Sequence, residues 1–225
     1  SNNVGVGNNA LFANTTGDRN VAIGVNALKA NTDGYRNIAV GAYALDANTT
    51  GDGNVCVGDW AGSVQTTAIE NTYMGYYAGW TTTTGIRNVA IGSYCGYEIT
   101  TGSNNTLLGF EAGYSSSPSG SVTTGSNNLL LGHDAGISGS PAVIIDHNNR
   151  IVLGDNNITN AYIKVDWTVT SDERDKTDIQ DITRGLDFVN QLKPKSFWFR
   201  KNRESDEKHG LQRCSVPAEL NPIML

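Results

Sequence analysis

Long hydrophobic runs are missing from this chain. No apolar stretch approaches the roughly 18 residues of a membrane-spanning helix, and the start lacks a charged-then-apolar leader, so no membrane insertion is expected. Aromatic residues make up only 8% of the 225 residues and hydrophobic residues 38%, too little core material for a compact helical enzyme. Cysteine is scarce: Cys56, Cys95 and Cys214 are too scattered for a disulfide framework or a zinc site and are expected to be free thiols. Basic charge is also in deficit, with 16 Lys and Arg against 22 Asp and Glu, which argues against a nucleic-acid partner. The histidines, His133, His147 and His209, have no ligand spacing, and no phosphate-binding loop is present, so neither a metal nor a cofactor is expected. Asp146-His147-Asn148 and Asp155-Asn156-Asn157 are rich in oxygen donors and fit turn chemistry first, with a bound ion as the lesser reading. The first residue is Ser rather than Met, as in a fragment or a processed product.

What is abundant is turn-forming: 26 Gly, 25 Asn and 22 Thr. These residues are arranged in a repeat. Its core phrase is Asn, apolar, small or apolar, apolar, Gly, and its glycines are Gly7, Gly24, Gly41, Gly58, Gly75, Gly92, Gly109, Gly132 and Gly154. The first six intervals are 17 residues and the last two are 23 and 22. An Asn stands four places before each Gly, from Asn3 to Asn128, and only the ninth unit departs from this, with Arg150.

Each column carries a structural expectation. The positions three and one before the Gly, such as Val21 and Ile23, are apolar, and alternation at period two predicts a short strand with that pair on the buried face. The Gly then ends the strand where φ is positive or another backbone comes close. Three residues later the side chain is small, as in Ala27, Ala44 and Cys95, which predicts a crowded axis or interface. The next position changes from Leu11, Leu28 and Leu45 to Gly62, Gly79, Gly96, Gly113 and Gly136, and Thr-Thr-Gly turns lead into the next Asn. Coils this thin bury their faces by stacking, and other chains around a common axis would add to that burial. Extra residues around Ser115–Ser121 and Ser138–Ala142 are inserted loops, either partner contacts or tolerated surface variation. Trp60, Trp80, Tyr76, Tyr77 and Tyr97 fall outside the repeat and fit either a sugar-stacking patch or packing against neighbouring chains.

Phrases such as Asn20-Val21-Ala22-Ile23-Gly24 and Asn88-Val89-Ala90-Ile91-Gly92 resemble the repeats of phage tail fibres and, more loosely, the β-roll heads of trimeric autotransporter adhesins. The resemblance implies a mainly β, trimeric β-roll or β-solenoid-like fibre over residues 1–160. Residues 161–170 then alternate as an exit strand and linker.

At residue 171 the composition changes. Residues 1–170 hold 18 charged residues, whereas the 55 residues from 171 to 225 hold 20. The break coincides with Ser171-Asp172-Glu173-Arg174-Asp175-Lys176, followed by Ile179. This is similar to the Ser-Asp-x-Arg-Leu-Lys opening of the intramolecular chaperone of endosialidases and other phage fibres, with Asp175 in place of Leu. Downstream, Ile179, Ile182, Leu186, Val189 and Leu192 fall at helical spacing up to Pro194, and Phe197 and Phe199 alternate as in a strand. His209-Gly210-Leu211 begins a further family phrase that the following residues do not complete, so 171–225 is expected to be the N-terminal part of a small α+β chaperone segment, truncated after Leu211.

The chaperone resemblance implies a single-turnover autoprotease. Ser171 attacks the Thr170 carbonyl, Lys176 handles the proton, and cleavage falls between Thr170 and Ser171. A serine hydroxyl needs such a base, and a lysine serves as one when its surroundings favour the neutral amine. Together the resemblances imply a homotrimeric virion tail-fibre segment, extracellular, that contacts a host surface receptor (a glycan or an outer-membrane component) and other tail proteins. A polysaccharide-degrading tailspike enzyme is the alternative from another class, but Asp18, Asp33 and Asp52 sit at turns and form no singular carboxylate pair. A cellular trimeric adhesin is the third reading.

Overall fold

The computed structural model describes residues 2–116, 120–137 and 140–164, and beyond them the backbone at 198–199 and 212–213. The chain divides into two compact units, Ser1–Ile163 and Lys164–Leu225.

The first unit is a parallel β-solenoid. Its strands are β1 (Val4–Val6), β2 (Val21–Ile23), β3 (Ile38–Val40), β4 (Val55–Val57), β5 (Thr72–Met74), β6 (Val89–Ile91), β7 (Thr106–Leu108), β8 (Leu129–Leu131) and β9 (Ile151–Leu153). They stack in chain order in one sheet, and each repeat position lies over its equivalent, as in Val21 over Ile38 and Val55 over Thr72. The inserted loops do not disturb this register. The loop after Gly113 closes at its base, where Ser115 N–H donates to Ser121 Oγ (2.9 Å) and Val122 N–H to the Gly113 carbonyl (2.9 Å), so Thr106 still pairs with Leu129.

The repeated Asn is the spine of the coil. Asn20, Asn37, Asn54, Asn71, Asn88 and Asn105 are fully buried. Each Oδ1 accepts the backbone N–H of the next Asn, at 2.9 Å from Asn37 to Asn20 and 2.8 Å from Asn88 to Asn71. Each Nδ2 donates to a turn carbonyl, as Asn20 does to Gly34 (2.7 Å) and Asn37 to Gly51 (2.7 Å). Only a short carboxamide supplies both an acceptor and a donor there, and a buried polar group without partners is costly. The ladder ends where Arg150 N–H donates to Asn128 Oδ1 (3.0 Å), because Arg150 has no acceptor to pass on.

The strand-ending glycines have φ of 130° to 140° from Gly7 to Gly109, falling to 111° at Gly132 and 73° at Gly154. At Gly75 a Cβ would run into the carbonyl of Gly92 on the next coil, so sheet spacing and positive φ both require glycine.

The face expectation is reversed. The middle residue of each strand points into the coil: Ala22, Ala39, Cys56, Tyr73, Ala90, Leu107 and Leu130 are fully buried, while the flanking apolar pair is half-buried or exposed. A coil of 17 residues is too narrow to take two large side chains from each strand. The small column is likewise crowded by the coil's own interior, since Ala27, Ala44, Ala61 and Ala78 are fully buried within one chain.

Interior volume explains the switch from Leu to Gly four places after the strand-ending Gly. Where the strand supplies Ala22 or Ala39, the far wall supplies Leu28 or Leu45, fully buried even though their φ values of 49° and 51° cost about 1 kcal/mol or more each. Where the strand supplies Tyr73, Leu107 or Leu130, the partner is Gly79, Gly113 or Gly136, and any Cβ there would overlap the large side chain. In the coil of Ala90 and Gly96 the space is taken by Ile99. The buried Tyr73 hydroxyl is hydrogen-bonded to Thr82 Oγ1 at 2.9 Å.

Cys56 and Cys95 are buried free thiols, and burial pushes the Cys95 thiol up to about 12, so it stays protonated and unreactive. Residues 161–164 form no strand, and the rest of the expected exit strand lies outside the described residues. So does the helix expected from Ile179 to Leu192. In the second unit β10 (Trp198–Phe199) pairs antiparallel with β11 (Gln212–Arg213), Trp198 opposite Arg213.

Candidate functional site

Two surfaces of the solenoid are out of keeping with a lone soluble coil. One is the outer face of the sheet. Every strand presents two side chains there, nearly all aliphatic, and many are well exposed: Val6 at 56%, Leu108 at 48% and Ile151 at 65%. Because the strands stack in register, these side chains form two parallel apolar rows from β1 to β9. A contiguous apolar band of this kind marks an interaction surface.

The other is aromatic. Tyr43, Trp60, Tyr77 and Tyr94 occupy the second position after the strand-ending Gly in four consecutive coils. Stacking the coils stacks the rings: Tyr43 and Trp60 lie 4.1 Å apart and 3° from parallel, Trp60 and Tyr77 5.9 Å apart, and Tyr77 and Tyr94 5.6 Å apart. Trp80, Tyr97 and Tyr114 form a second file three positions further along each coil, with Tyr97 4.9 Å from Trp80 and 4.6 Å from Tyr114. Tyr76 packs edge-on against Tyr77 at 4.4 Å. Desolvation, and then neighbouring phenols, push the Tyr97 hydroxyl above its ordinary range, so it remains a neutral donor. Trp80 Nε1 is enclosed and has no hydrogen-bond partner among the described residues.

All five aromatic residues singled out in the sequence fall in this patch. Tyr43, Tyr94 and Tyr114 were missed there, although 43, 60, 77 and 94 are spaced by the repeat length and aligning the units would have shown the file.

Among the described residues, carboxylates show no comparable convergence on a cleft. Asp33, held below the usual carboxylate range by the Thr16 and Thr32 hydroxyls, lies at an exposed turn. A cavity of about 400 Å³ near the C-terminal coils is lined by Asn104, Asn127, Asn128, Asn149 and Arg150 with Thr and aliphatic neighbours, and none of the lining residues is a carboxylate. The fold does assemble one group that spacing concealed, His133, Asp134 and Asp155, whose potential ligand atoms all lie within 4.8 Å of one another. Asp155 follows the other two by 22 and 21 positions in the chain but stands in the next coil.

Ser171, Lys176 and Thr170 lie outside the described residues. Residues 171–213 match the family model described as the chaperone of endosialidase. No curated protein and no solved structure matches the chain. The matched segment begins at Ser171, the residue at which the charge density rises, so a β-repeat solenoid is followed by a segment similar to that chaperone.

Proposed function

We propose that this chain is a structural and attachment segment of a homotrimeric, extracellular fibre of the tail-fibre type. In this reading the part after Ser171 assists trimer assembly and then releases the solenoid by cleavage at Thr170-Ser171. The carrying observation is the outward apolar band. Its two rows repeat with every coil, interrupted by polar side chains only at Thr72 and Thr106, and a periodic, largely apolar face is what a second and third copy in parallel register would cover. The number three is supported by the likeness of 171–213 to the endosialidase chaperone and by the resemblance of the repeat to trimeric fibres. In solution the uncleaved Ser171→Ala chain is expected to have about three times the 24.0 kDa chain mass, measured by multi-angle light scattering. A folded, monodisperse monomer overturns the proposal.

Attachment is assigned to the aromatic patch, whose hydroxyl-edged rings suit the apolar faces and hydroxyls of a surface glycan. A Trp60→Ala, Tyr77→Ala variant should lose about tenfold or more of its binding to an array of bacterial surface glycans, the scale of losing central aromatic anchors, while its solution mass is unchanged. Binding equal to that of the parent would remove attachment from this surface. The polysaccharide-hydrolase alternative needs a carboxylate pair in a cleft, and the pair that meets among the described residues, Asp134 and Asp155, does not line the cavity described above.

A further inference from the structure

The last two coils carry a second kind of site. His133 follows Gly132 and Asp155 follows Gly154, so they are equivalent positions, and stacking coil on coil places one over the other. His133 Nδ1 lies 3.3 Å from Asp134 Oδ2 and 3.6 Å from Asp155 Oδ2. Both separations exceed the roughly 2.7–3.2 Å of an N–H···O hydrogen bond. These two separations match the spacing between neighbouring ligands of a tetrahedral ion, about 3.3–3.6 Å for bonds of about 2.0–2.2 Å, and all three ligand atoms lie within 4.8 Å of one another.

Other observations point the same way. Asp134 Oδ1 is enclosed and has no hydrogen-bond partner among the described residues, an arrangement that leaves a carboxylate oxygen uncompensated. Asp155 is 9% exposed and held in place by Asn157, whose backbone N–H donates to Oδ1 (3.0 Å) and whose Nδ2 donates to Oδ2 (2.8 Å), as a buttressing neighbour orients a metal-binding carboxylate. The imidazole is stacked on Phe110, with ring centres 5.7 Å apart and planes 8° from parallel. Glu111 occupies the position of Asp134 in the preceding coil, which adds a further carboxylate to the locality.

We propose that His133, Asp134 and Asp155 bind a divalent transition cation of the Zn²⁺ or Mn²⁺ class. One imidazole nitrogen and two carboxylate oxygens suit such ions, and the exposed side of the site leaves the remaining positions to water. The ion staples the eighth coil to the ninth. It does so beside the last rung of the Asn ladder, Arg150 N–H to Asn128 Oδ1, and adds to the cross-coil bonding where the strand-ending Gly has turned to a φ of 73°. This site stands independently of the trimer and attachment readings.

Isothermal titration of the full chain with ZnCl₂, and separately with MnCl₂, in a non-chelating buffer tests the assignment. One equivalent per chain is expected, with affinity reduced at least about tenfold in His133→Ala and in Asp155→Asn. His147→Ala serves as the control, because His147 pairs with Asp146 elsewhere (3.5 Å) and its loss should leave the titration unchanged. Added Zn²⁺ should raise the melting temperature of the parent but not of His133→Ala, and the two should melt together without metal because His133 is exposed. No saturable binding, or binding that survives both site variants or is lost in His147→Ala, overturns the assignment.

Discussion

Replacing Val57 and Ile91 together by aspartate is expected to turn the assembled chain into folded monomers. Both residues belong to the outward rows of the sheet, in β4 and β6, and both are half-buried in the single chain. Their substitution leaves the coil interior alone, because the inward residues of those strands are Cys56 and Ala90 and the Asn ladder lies elsewhere. In a trimer closed over this face, each copy would instead bring two carboxylates into an apolar contact with no cation to pair them. The cost of burying unpaired charge is several kcal/mol per ion, more than association through such rows can offset. Light scattering should therefore show the mass falling from about three chains to one, while the far-ultraviolet circular dichroism keeps its β signature. A variant that remains trimeric would place the subunit contact on some other face.

The second large effect is at the junction. The parent chain, analysed by intact mass after expression, should appear as two pieces, residues 1–170 and 171–225, whose masses sum to the whole plus one water. Ser171→Ala should appear as one uncut species. In the proposed reaction Ser171 Oγ adds to the Thr170 carbonyl carbon and the peptide C–N bond breaks. The freed Ser171 amine takes up the proton passed by Lys176. Water then hydrolyses the ester, restoring the hydroxyl and leaving a Thr170 carboxylate. Removing the nucleophile leaves no route to the ester, so cleavage should slow by at least about a thousandfold, and Lys176→Ala should slow it as well. If the parent itself stays whole, self-cleavage is excluded, while the solenoid and its apolar band are untouched.

Much of the solenoid was legible because a repeat is a one-dimensional signal. The columns of Asn and Gly place each strand within the three residues where the structure has it, and the in-register pairing of Val21 with Ile38 follows from equal spacing. The exchange of Leu45 for Gly79 was visible as a pattern, but its cause was not. Only the interior shows that Tyr73 occupies the volume Leu45 fills two coils earlier. The aromatic patch was half legible: Trp60 and Tyr77 stood out, whereas Tyr43 and Tyr94 needed the coils laid over one another.

The outward face was misjudged for a physical reason. Alternation at period two says that Val21 and Ile23 share a face and that Ala22 has the other, and it is silent on which face is inward. The usual assumption that the more apolar face is the buried one fails in a coil whose bore admits a single side chain per strand.

By itself, then, the sequence determined the coil length, the strand positions, the Asn column and the start of the chaperone-like segment at Ser171, because each is written in spacing or local composition. The tertiary structure alone decided which residues point outward and which distant ones meet. Alternation along a strand has no inside until the coil closes, and His133, Asp134 and Asp155 have no common neighbourhood until one coil is laid on the next.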